Sequence, residues 1–172
     1  MELGEMIAPR VAFGEALVEV GRTNSEVVVF DADVCTSTQT SHFRQAYPDR
    51  FYQMGIAEQN MVGAAAGMST LGYIPWVSTF AVFIAKRAVD QVRISIAYPQ
   101  MNVKLNGSYA GIPTGKAGAT HQSVEDIAVM RAMPNMTVVA AADAVETRQA
   151  VLASVKHVGP FYLRTVRCPV PS

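Results

Sequence analysis

The chain has 172 residues, of which half are hydrophobic and 16% are charged, and its 14 basic and 14 acidic residues give a formal net charge of zero. This length suits one domain with a substantial core, so we treat residues 1–172 as a single domain. The balanced charge lacks the basic cluster typical of a nucleic-acid-binding protein, and no apolar run approaches the ~18 residues of a membrane span. Because so few residues are charged, we expect a partner to cover part of the surface.

Short apolar, β-branched runs alternate along the chain with longer segments of helical periodicity. The predicted strands are, in chain order, 26–30, 51–54, 74–78, 103–106, 137–141 and 161–165. The predicted helices are 9–21, 57–71, 80–97, 123–133 and 144–157. Thr79 and Asp143 are the predicted N-caps of the third and fifth helices. This alternation predicts an α/β fold of three layers, α/β/α, with a mostly parallel sheet of about six strands.

Polar segments follow three of the predicted strands. Residues 31–40 follow the first strand, Glu58 follows the second, and the glycine-rich segment 107–122 follows the fourth. In open α/β sheets, binding sites lie beyond the carboxyl ends of the strands. A long irregular segment in a compact domain is more often functional than accidental. We therefore expect a site at this edge of the sheet.

Residues 55–67, with the sequence GIAEQNMVGAAAG, place Glu58 at the start of a helix of small residues. A carboxylate at a helix N-terminus meets free N–H groups and the positive end of the helix dipole. Small side chains let another backbone approach closely. We therefore expect a fixed acid beside a subunit boundary packed against residues 63–67.

Each candidate side chain also has an ordinary structural interpretation. Glu58 alone is typical of a helix start, and Phe80 and Phe83 alone are typical core residues. Arg10 and Arg167, far apart in sequence, look like surface arginines. His121 in a polar loop does not identify a site by itself.

Several common site motifs are missing from the sequence. It contains no P-loop, no GxGxxG that opens a helix after a strand, and no GxSxG elbow. Cys35 and Cys168 have neither CxxC spacing nor a matching histidine cluster, so we predict neither a metal site nor a disulfide. Reduced thiols fit a cytoplasmic protein, and Glu2 and Glu5 do not suit a secretory signal.

Five motifs together carry a resemblance to a known family. They are VFDAD at 29–33, GIAEQNM at 55–61, STF at 78–80 with Phe83, GATHQ at 118–122 followed by Glu125 and Asp126, and PNM at 134–136. In this order and spacing, the whole chain resembles the pyrimidine-binding domain of the transketolase family of thiamine diphosphate enzymes. It looks most like the second subunit of a split transketolase, or the first domain of that subunit.

The resemblance implies a role for each candidate residue of the cofactor site. Glu58 matches the glutamate that hydrogen-bonds the aminopyrimidine and activates the cofactor. Phe83 matches the aromatic residue that stacks on the pyrimidine, and Phe80 lines the same pocket. Asp33 matches an acid near the cofactor at the dimer interface. His121 matches a catalytic histidine that contacts the donor sugar.

Arg10, Ser37 and Arg167 fall where the family places contacts to the substrate phosphate, and guanidinium forks suit that anion. Two positions in this part of the family pattern differ here. Tyr109 stands where a histidine is frequent, and Ala117 stands where an aspartate reads a sugar hydroxyl. Loss of a polar partner for that hydroxyl weakens discrimination. Lys86 replaces an aromatic residue that is frequent in the cofactor pocket.

The resemblance implies transfer of a two-carbon ketol unit between sugar phosphates, with thiamine diphosphate as cofactor. The family holds the diphosphate and Mg²⁺ mainly on a separate domain with a Gly-Asp-Gly motif, so a diphosphate-binding transketolase subunit is the expected partner. A homodimer or heterotetramer is the expected assembly. One alternative is chemistry like that of deoxyxylulose-phosphate synthase or pyruvate dehydrogenase, with pyruvate as donor. The other is a non-catalytic assembly module of the same fold.

Overall fold

The computed structural model of the protein describes residues 4–172. Its strands are β1 Met6–Ile7, β2 Val27–Asp31, β3 Phe51–Gln53, β4 Ile74–Phe80, β5 Lys104–Ser108, β6 Thr137–Ala140, β7 Phe161–Arg164 and β8 Val170–Pro171. Its α-helices are α1 Pro9–Thr23, α2 Cys35–Thr38, α3 Ser41–Ala46, α4 Glu58–Ser69, α5 Ala81–Lys86, α6 Val89–Gln91, α7 Asp126–Arg131 and α8 Ala144–Ser154. None of the helices within residues 4–172 combines the length and the hydropathy needed to cross a bilayer.

Six strands form one sheet in the order β3-β2-β4-β5-β7-β6. All five neighbouring pairs in this sheet are parallel. The predicted α/β architecture, with six strands in a parallel sheet, is therefore confirmed. The parallel arrangement brings the carboxyl ends of β2, β3 and β5 to one edge, as the polar segments after them predicted.

Two hydrophobic clusters, one on each face of the sheet, give the three layers. In β2, Val28 and Phe30 pack into the cluster formed with α4, α5 and α7. Val27 and Val29 pack into the other cluster, with α1, α3 and α8. Alternate residues of a strand point to opposite faces, so an uninterrupted apolar run such as β2 is typical of a strand covered on both sides.

A short ribbon that joins the two ends of the described chain has no counterpart among the predicted elements. β1 pairs antiparallel with β8, with Met6 opposite Pro171 and Ile7 opposite Val170. Two-residue strands are too short to show a period in the sequence. The ribbon lies next to Arg10 and Arg167, and it therefore brings two distant arginines to the same place.

The prediction of one continuous helix over residues 80–97 is wrong. The structure divides this segment into α5, α6 and a π-helical turn at Val92–Ala97. The break follows from a shared acceptor, because the Phe83 carbonyl receives the N–H groups of both Arg87 and Ala88, at 2.8 and 3.1 Å. The predicted apolar stripe survives the break, since its four members are all buried: Ile84, Ala88, Val92 and Ile96.

The prediction of Thr79 as an N-cap is also wrong. Pairing with β5 extends β4 to Phe80, which lies opposite Ser108, so Thr79 is a strand residue. Asp143 is confirmed as a cap, because its carboxylate accepts the Glu146 N–H at 2.8 Å. The segment 107–122 is less irregular than predicted. β5 takes its first two residues, and Ile112–Ala117 forms a 3-10 segment kinked at Gly115.

Gly107 shows how closely the layers pack near this edge. A Cβ at this position would lie 2.1 Å from the Tyr162 hydroxyl oxygen, so no side chain fits. That hydroxyl donates to Asp126 at 2.8 Å, and Arg164 donates to the same carboxylate oxygen at 3.0 Å. Burial, together with the neighbouring Asp126 carboxylate, raises the pKa of Tyr162 well above its ordinary value. The phenol therefore stays protonated and ties β7 to α7.

Candidate active site

A cleft of about 400 Å³ opens at the carboxyl ends of β2 and β4. Five of the predicted site residues line this cleft: Asp33, Glu58, Phe80, Phe83 and His121. The lining residues are Ala32, Asp33, Val34, Ile56, Glu58, Phe80, Phe83, Arg87, Thr120 and His121. Segments far apart in sequence therefore converge on one concave surface, which is the usual form of a small-molecule site.

Glu58 is the first residue of α4, and its side chain is 1% exposed. The Nη1 atom of Arg87 lies 2.9 Å from each of its two carboxylate oxygens. A buried carboxylate needs a partner of this kind, because desolvation of an unpaired charge is expensive. The helix N-terminus adds a favourable field from the dipole. The acid is thus fixed in position at the base of the cleft.

Aromatic rings form one wall of the cleft. Phe80 and Phe83 stack with centroids 5.7 Å apart. The His121 ring presents its edge to both, at 5.3 Å from Phe83 and 5.9 Å from Phe80. Its Nδ1 lies 2.8 Å from the Thr120 hydroxyl, which sets the ring orientation. The wall offers apolar faces together with one imidazole able to exchange a proton.

The loop after β2 is held by a buried acid. Asp31 accepts hydrogen bonds from the Val34 N–H at 2.7 Å and from the hydroxyls of Thr38 and Thr40 at 3.0 and 2.8 Å. Burial raises the pKa of Asp31, while these hydrogen bonds act in the opposite direction. The loop presents Asp33 at the rim of the cleft, exposed and in the left-handed region with φ 62°. Asp31 therefore positions the loop, and Asp33 faces the cleft.

The three predicted phosphate contacts lie together beside the cleft. Arg10 donates to the Ser37 carbonyl at 2.9 Å and to the Arg167 carbonyl at 3.4 Å. Arg167 donates to the Thr114 carbonyl at 3.0 Å. Within residues 4–172, neither guanidinium has a carboxylate at ion-pair distance. Two cations held by backbone carbonyls, without counter-charge, form an arrangement suited to an anion.

Tyr109 joins this anion-binding cluster to the cleft. Both guanidinium carbons lie 5.5 Å from the centre of its ring. Its ring also stacks on Phe80, with centroids 4.4 Å apart. The Thr114 hydroxyl donates to the Tyr109 carbonyl and holds the residue at φ 57°. The tyrosine therefore fills the space between the aromatic wall and the two arginines.

The two other departures from the family pattern lie outside the cleft. Lys86 is largely exposed and pairs with Glu125 at 2.5 Å, so it points away from the lining residues. Ala117 is exposed at the end of the 3-10 segment. Neither residue contributes a polar group to the cleft.

Sequence reasoning missed Arg87 as a site residue. Its guanidinium carbon lies 4.2 Å from the centre of the Phe83 ring, next to Glu58. A signal was present, because residues four apart on a helix are neighbours and Arg87 follows Phe83 by four. The signal pointed only to Phe83, because Arg87 and Glu58 are 29 residues apart in the sequence and no local pattern links them.

The cleft can be compared with the needs of a thiamine pyrimidine. Such a ring requires an aromatic face for stacking and a carboxyl group that shares a proton with a ring nitrogen. The guanidinium of Arg87, which is planar and carries N–H groups, makes both contacts here, with Phe83 and with Glu58. The lining residues therefore fit a flat, nitrogen-containing group that shares a proton with Glu58. Within residues 4–172, no cluster of three or more His, Cys, Asp or Glu side chains could hold a metal ion.

Comparison with known proteins gives a consistent result. Residues 5–171 match the family described as transketolase, pyrimidine-binding domain. A putative transketolase C-terminal section from Methanocaldococcus jannaschii is 45% identical over 158 residues, which are 92% of this chain and 50% of that protein. A 6-deoxy-6-sulfo-D-fructose transketolase subunit from Clostridium sp. (strain MSTE9) is 38% identical over 160 residues, covering 93% of this chain and 50% of the subunit.

A solved structure of a split gene transketolase, described as an inactive β4 tetramer, superposes with a TM-score of 0.88 and 51% identity. The match covers 98% of this chain and 54% of that chain. A Campylobacter jejuni transketolase, at 23% identity and a TM-score of 0.90, supports the fold alone. The chain spans about half the length of the first two relatives. The sequence matches and the shared fold show that the chain belongs to the transketolase family, as its pyrimidine-binding domain.

Proposed function

We propose that the chain is the pyrimidine-binding component of a thiamine diphosphate-dependent, transketolase-like transferase. It would move a two-carbon ketol unit between sugar phosphates. The observation that carries the proposal is the buried carboxylate of Glu58 at the start of α4, in the same cleft as the Phe83 ring. When bound, thiamine diphosphate supplies the nucleophilic carbon for this chemistry, and the protein supplies placement and electrostatics.

Glu58 would share a proton with the pyrimidine ring nitrogen and hold that proton in place. An acid used in this way must be rigid and shielded from water. Its 1% exposure and its place at the helix start meet this requirement. Phe83 would present the stacking face, and Phe80 would support that ring from the side. Asp33, at the rim, would face the cofactor near a neighbouring subunit.

His121 would face the donor sugar and move a proton at its hydroxyl groups. Its ring is half-buried against the two phenylalanines, and its Nδ1 is engaged with Thr120. The remaining ring nitrogen is therefore the one available to a substrate. Arg10, Ser37 and Arg167 would bind the substrate phosphate, which is supported by two guanidinium groups without a counter-charge among residues 4–172.

The diphosphate and Mg²⁺ would be held mainly by a diphosphate-binding partner subunit. Support comes from relatives whose length is about twice the matched region and which are named as sections or subunits of transketolases. The exposed small residues of α4 offer a surface for close approach, because a Cβ at Gly63 or Gly67 would meet no atom within 4 Å. We therefore place a subunit boundary along this helix, beside the cleft.

The test is reconstitution with the diphosphate-binding subunit, followed by measurement of ketose phosphate consumption. Glu58→Gln keeps the shape of the side chain and removes the charge, so we expect turnover to fall by about 10² to 10⁴. Glu125→Gln is the matched control, since Glu125 is an acid outside the cleft paired with Lys86. Undiminished turnover in the Glu58 variant would contradict the assignment.

The same assay distinguishes the donor. Pyruvate and a ketose phosphate are offered separately, with an acceptor sugar phosphate present. Consumption of the ketose phosphate is expected, because the two arginines form a site for a phosphate that pyruvate lacks. Consumption of pyruvate alone would replace the proposed reaction by decarboxylating chemistry. No thiamine-dependent turnover with either donor would favour an assembly module.

A further inference from the structure

Arg87 occupies the part of the cleft that the proposed function reserves for the pyrimidine ring. Its guanidinium lies on the face of Phe83, 4.2 Å from the ring centre, and its Nη1 lies 2.9 Å from both oxygens of Glu58. These are the two contacts that the pyrimidine would need. We propose that Arg87 competes with the cofactor's pyrimidine ring for the same place in the cleft. The Arg87 side chain then has to leave Phe83 and Glu58 before the ring can bind. This inference rests on the proposed function.

The charges around Glu58 explain why an arginine pairs with it. The Glu58 carboxylate is 1% exposed, and Arg87 is its only hydrogen-bonding partner among residues 4–172. A buried carboxylate without a partner destabilises the fold. The adjacent cation, Lys86, does not neutralise Glu58, because its ammonium group pairs with Glu125. Arg87 therefore supplies the counter-charge for this buried carboxylate.

The same side chain is accessible to solvent. Its side chain is 46% exposed, so it can swing into solvent without losing a buried environment. Within residues 4–172, its guanidinium donates to Glu58 and to no other group. Displacement therefore breaks one ion pair and one stacking contact, and the incoming ring restores an equivalent pair of contacts. The Glu58 carboxyl group exchanges the guanidinium for a proton that it shares with the ring nitrogen.

This exchange affects affinity in a defined way. When a site must first leave a stable closed state, the apparent affinity falls by the fraction of molecules that are open. Weakening the Arg87 contacts should therefore tighten binding of any ligand that carries the ring. It should leave unchanged any ligand that lacks the ring. A purely structural ion pair would instead lose cofactor affinity when it is broken, because the site would become disordered.

The experiment is isothermal titration of the chain reconstituted with its diphosphate-binding subunit, in the presence of Mg²⁺. Thiamine diphosphate is the probe with the ring, and inorganic pyrophosphate is the probe without it. For Arg87→Ala we expect thiamine diphosphate to bind about tenfold more tightly, which corresponds to about 1.4 kcal/mol. Pyrophosphate affinity should not change. Lys86→Ala is the matched control, and it should leave both affinities as in the wild type.

Arg87→Lys covers the case in which the alanine variant does not fold. Lysine keeps a positive charge for Glu58 but lacks the planar group that stacks on Phe83, so we expect about threefold tighter binding of thiamine diphosphate. Unchanged or weaker binding of thiamine diphosphate in the folded variants, with normal binding by the wild type, would overturn the competition. Absence of thiamine diphosphate binding by the wild type and by all variants would overturn the proposed function and the competition with it.

Discussion

The ring of Tyr109 stacks on the ring of Phe80 with centroids 4.4 Å apart and an angle of 16° between the planes. Phe80 ends β4, and Tyr109 directly follows β5, which pairs with β4 in parallel register. The guanidinium groups of Arg10 and Arg167 also lie near the Tyr109 ring, each 5.5 Å from its centre. One ring therefore connects the aromatic wall of the cleft with the anion-binding arginines.

Tyr109→Ala should raise the KM for a phosphorylated ketose by about tenfold, because it removes an aromatic pair and two cation–π contacts worth about 0.5–1.5 kcal/mol each. Thiamine diphosphate affinity should change little, since Glu58 and Phe83 remain. Tyr109→Phe is the control and should behave like the wild type, as the hydroxyl has no hydrogen-bond partner among residues 4–172. Steady-state kinetics and cofactor titration measure the two effects. A loss in Tyr109→Phe equal to that in Tyr109→Ala would show that the hydroxyl matters instead.

Arg167→Met should raise the KM for a ketose phosphate by about 10- to 100-fold, the range expected for a lost charge-assisted hydrogen bond. The methionine keeps much of the apolar stem against Tyr109. The comparison is made with the corresponding unphosphorylated ketose, whose kinetics should be nearly unaffected. Arg148→Met is the control, since Arg148 is an exposed arginine paired with Glu19 on the other face. Equal losses with both ketoses would mean that Arg167 does not read the phosphate.

Gly67→Leu should block assembly without unfolding the chain. A Cβ at Gly67 meets open space in the isolated chain, and leucine is favoured over glycine in a helix by about 0.8 kcal/mol. The thermal midpoint of the isolated chain should therefore stay level or rise. Light scattering of the reconstituted mixture should show fewer assembled complexes than with Gln149→Leu, a control on the opposite face. Normal assembly by Gly67→Leu would contradict a close subunit boundary along α4.

We expect the titration of Lys104 to make the free energy of unfolding rise with pH above about 8. Its ammonium group is buried and donates to Asn102, His157 and Gly159 at 2.7, 2.5 and 2.9 Å. Burial lowers the pKa of Lys104 from 10.5 to about 8. Between these values the unfolded chain binds one more proton than the folded chain, so the free energy of unfolding increases with pH. Below pH 8 both states are protonated, and the residue adds no slope.

Urea unfolding at pH 7.5 to 9.5 measures this effect. Relative to Lys104→Met, the wild type should gain on the order of 1–2 kcal/mol across this range. Taking the difference between the two proteins cancels the titration of cysteines and tyrosines that both contain. Lys156→Met, at an exposed lysine, should keep the wild-type slope. Parallel pH profiles for wild type and Lys104→Met would show that the buried ammonium titrates normally.

The local pattern of apolar and small residues was sufficient to predict most helices and strands. The apolar run at β2 and the small-residue helix α4 lie within two residues of their predicted bounds, because burial on both faces and helical propensity are written in neighbouring residues. The motif order also indicated that Glu58, Phe83 and His121 belong together. Prediction failed at 80–97, where one carbonyl accepts two N–H groups and the helix changes period, a detail that side-chain patterns do not encode.

By itself, then, the sequence determined the parallel α/β architecture, the family and the edge of the sheet that carries the site. These depend on periodicity and on motifs within short segments. Only the tertiary structure decided that Arg87 lies between Phe83 and Glu58, and that the β1–β8 ribbon brings Arg10 beside Arg167. Such contacts join residues 29 and 157 positions apart. They arise from packing of the whole chain, because a local window contains only one member of each pair.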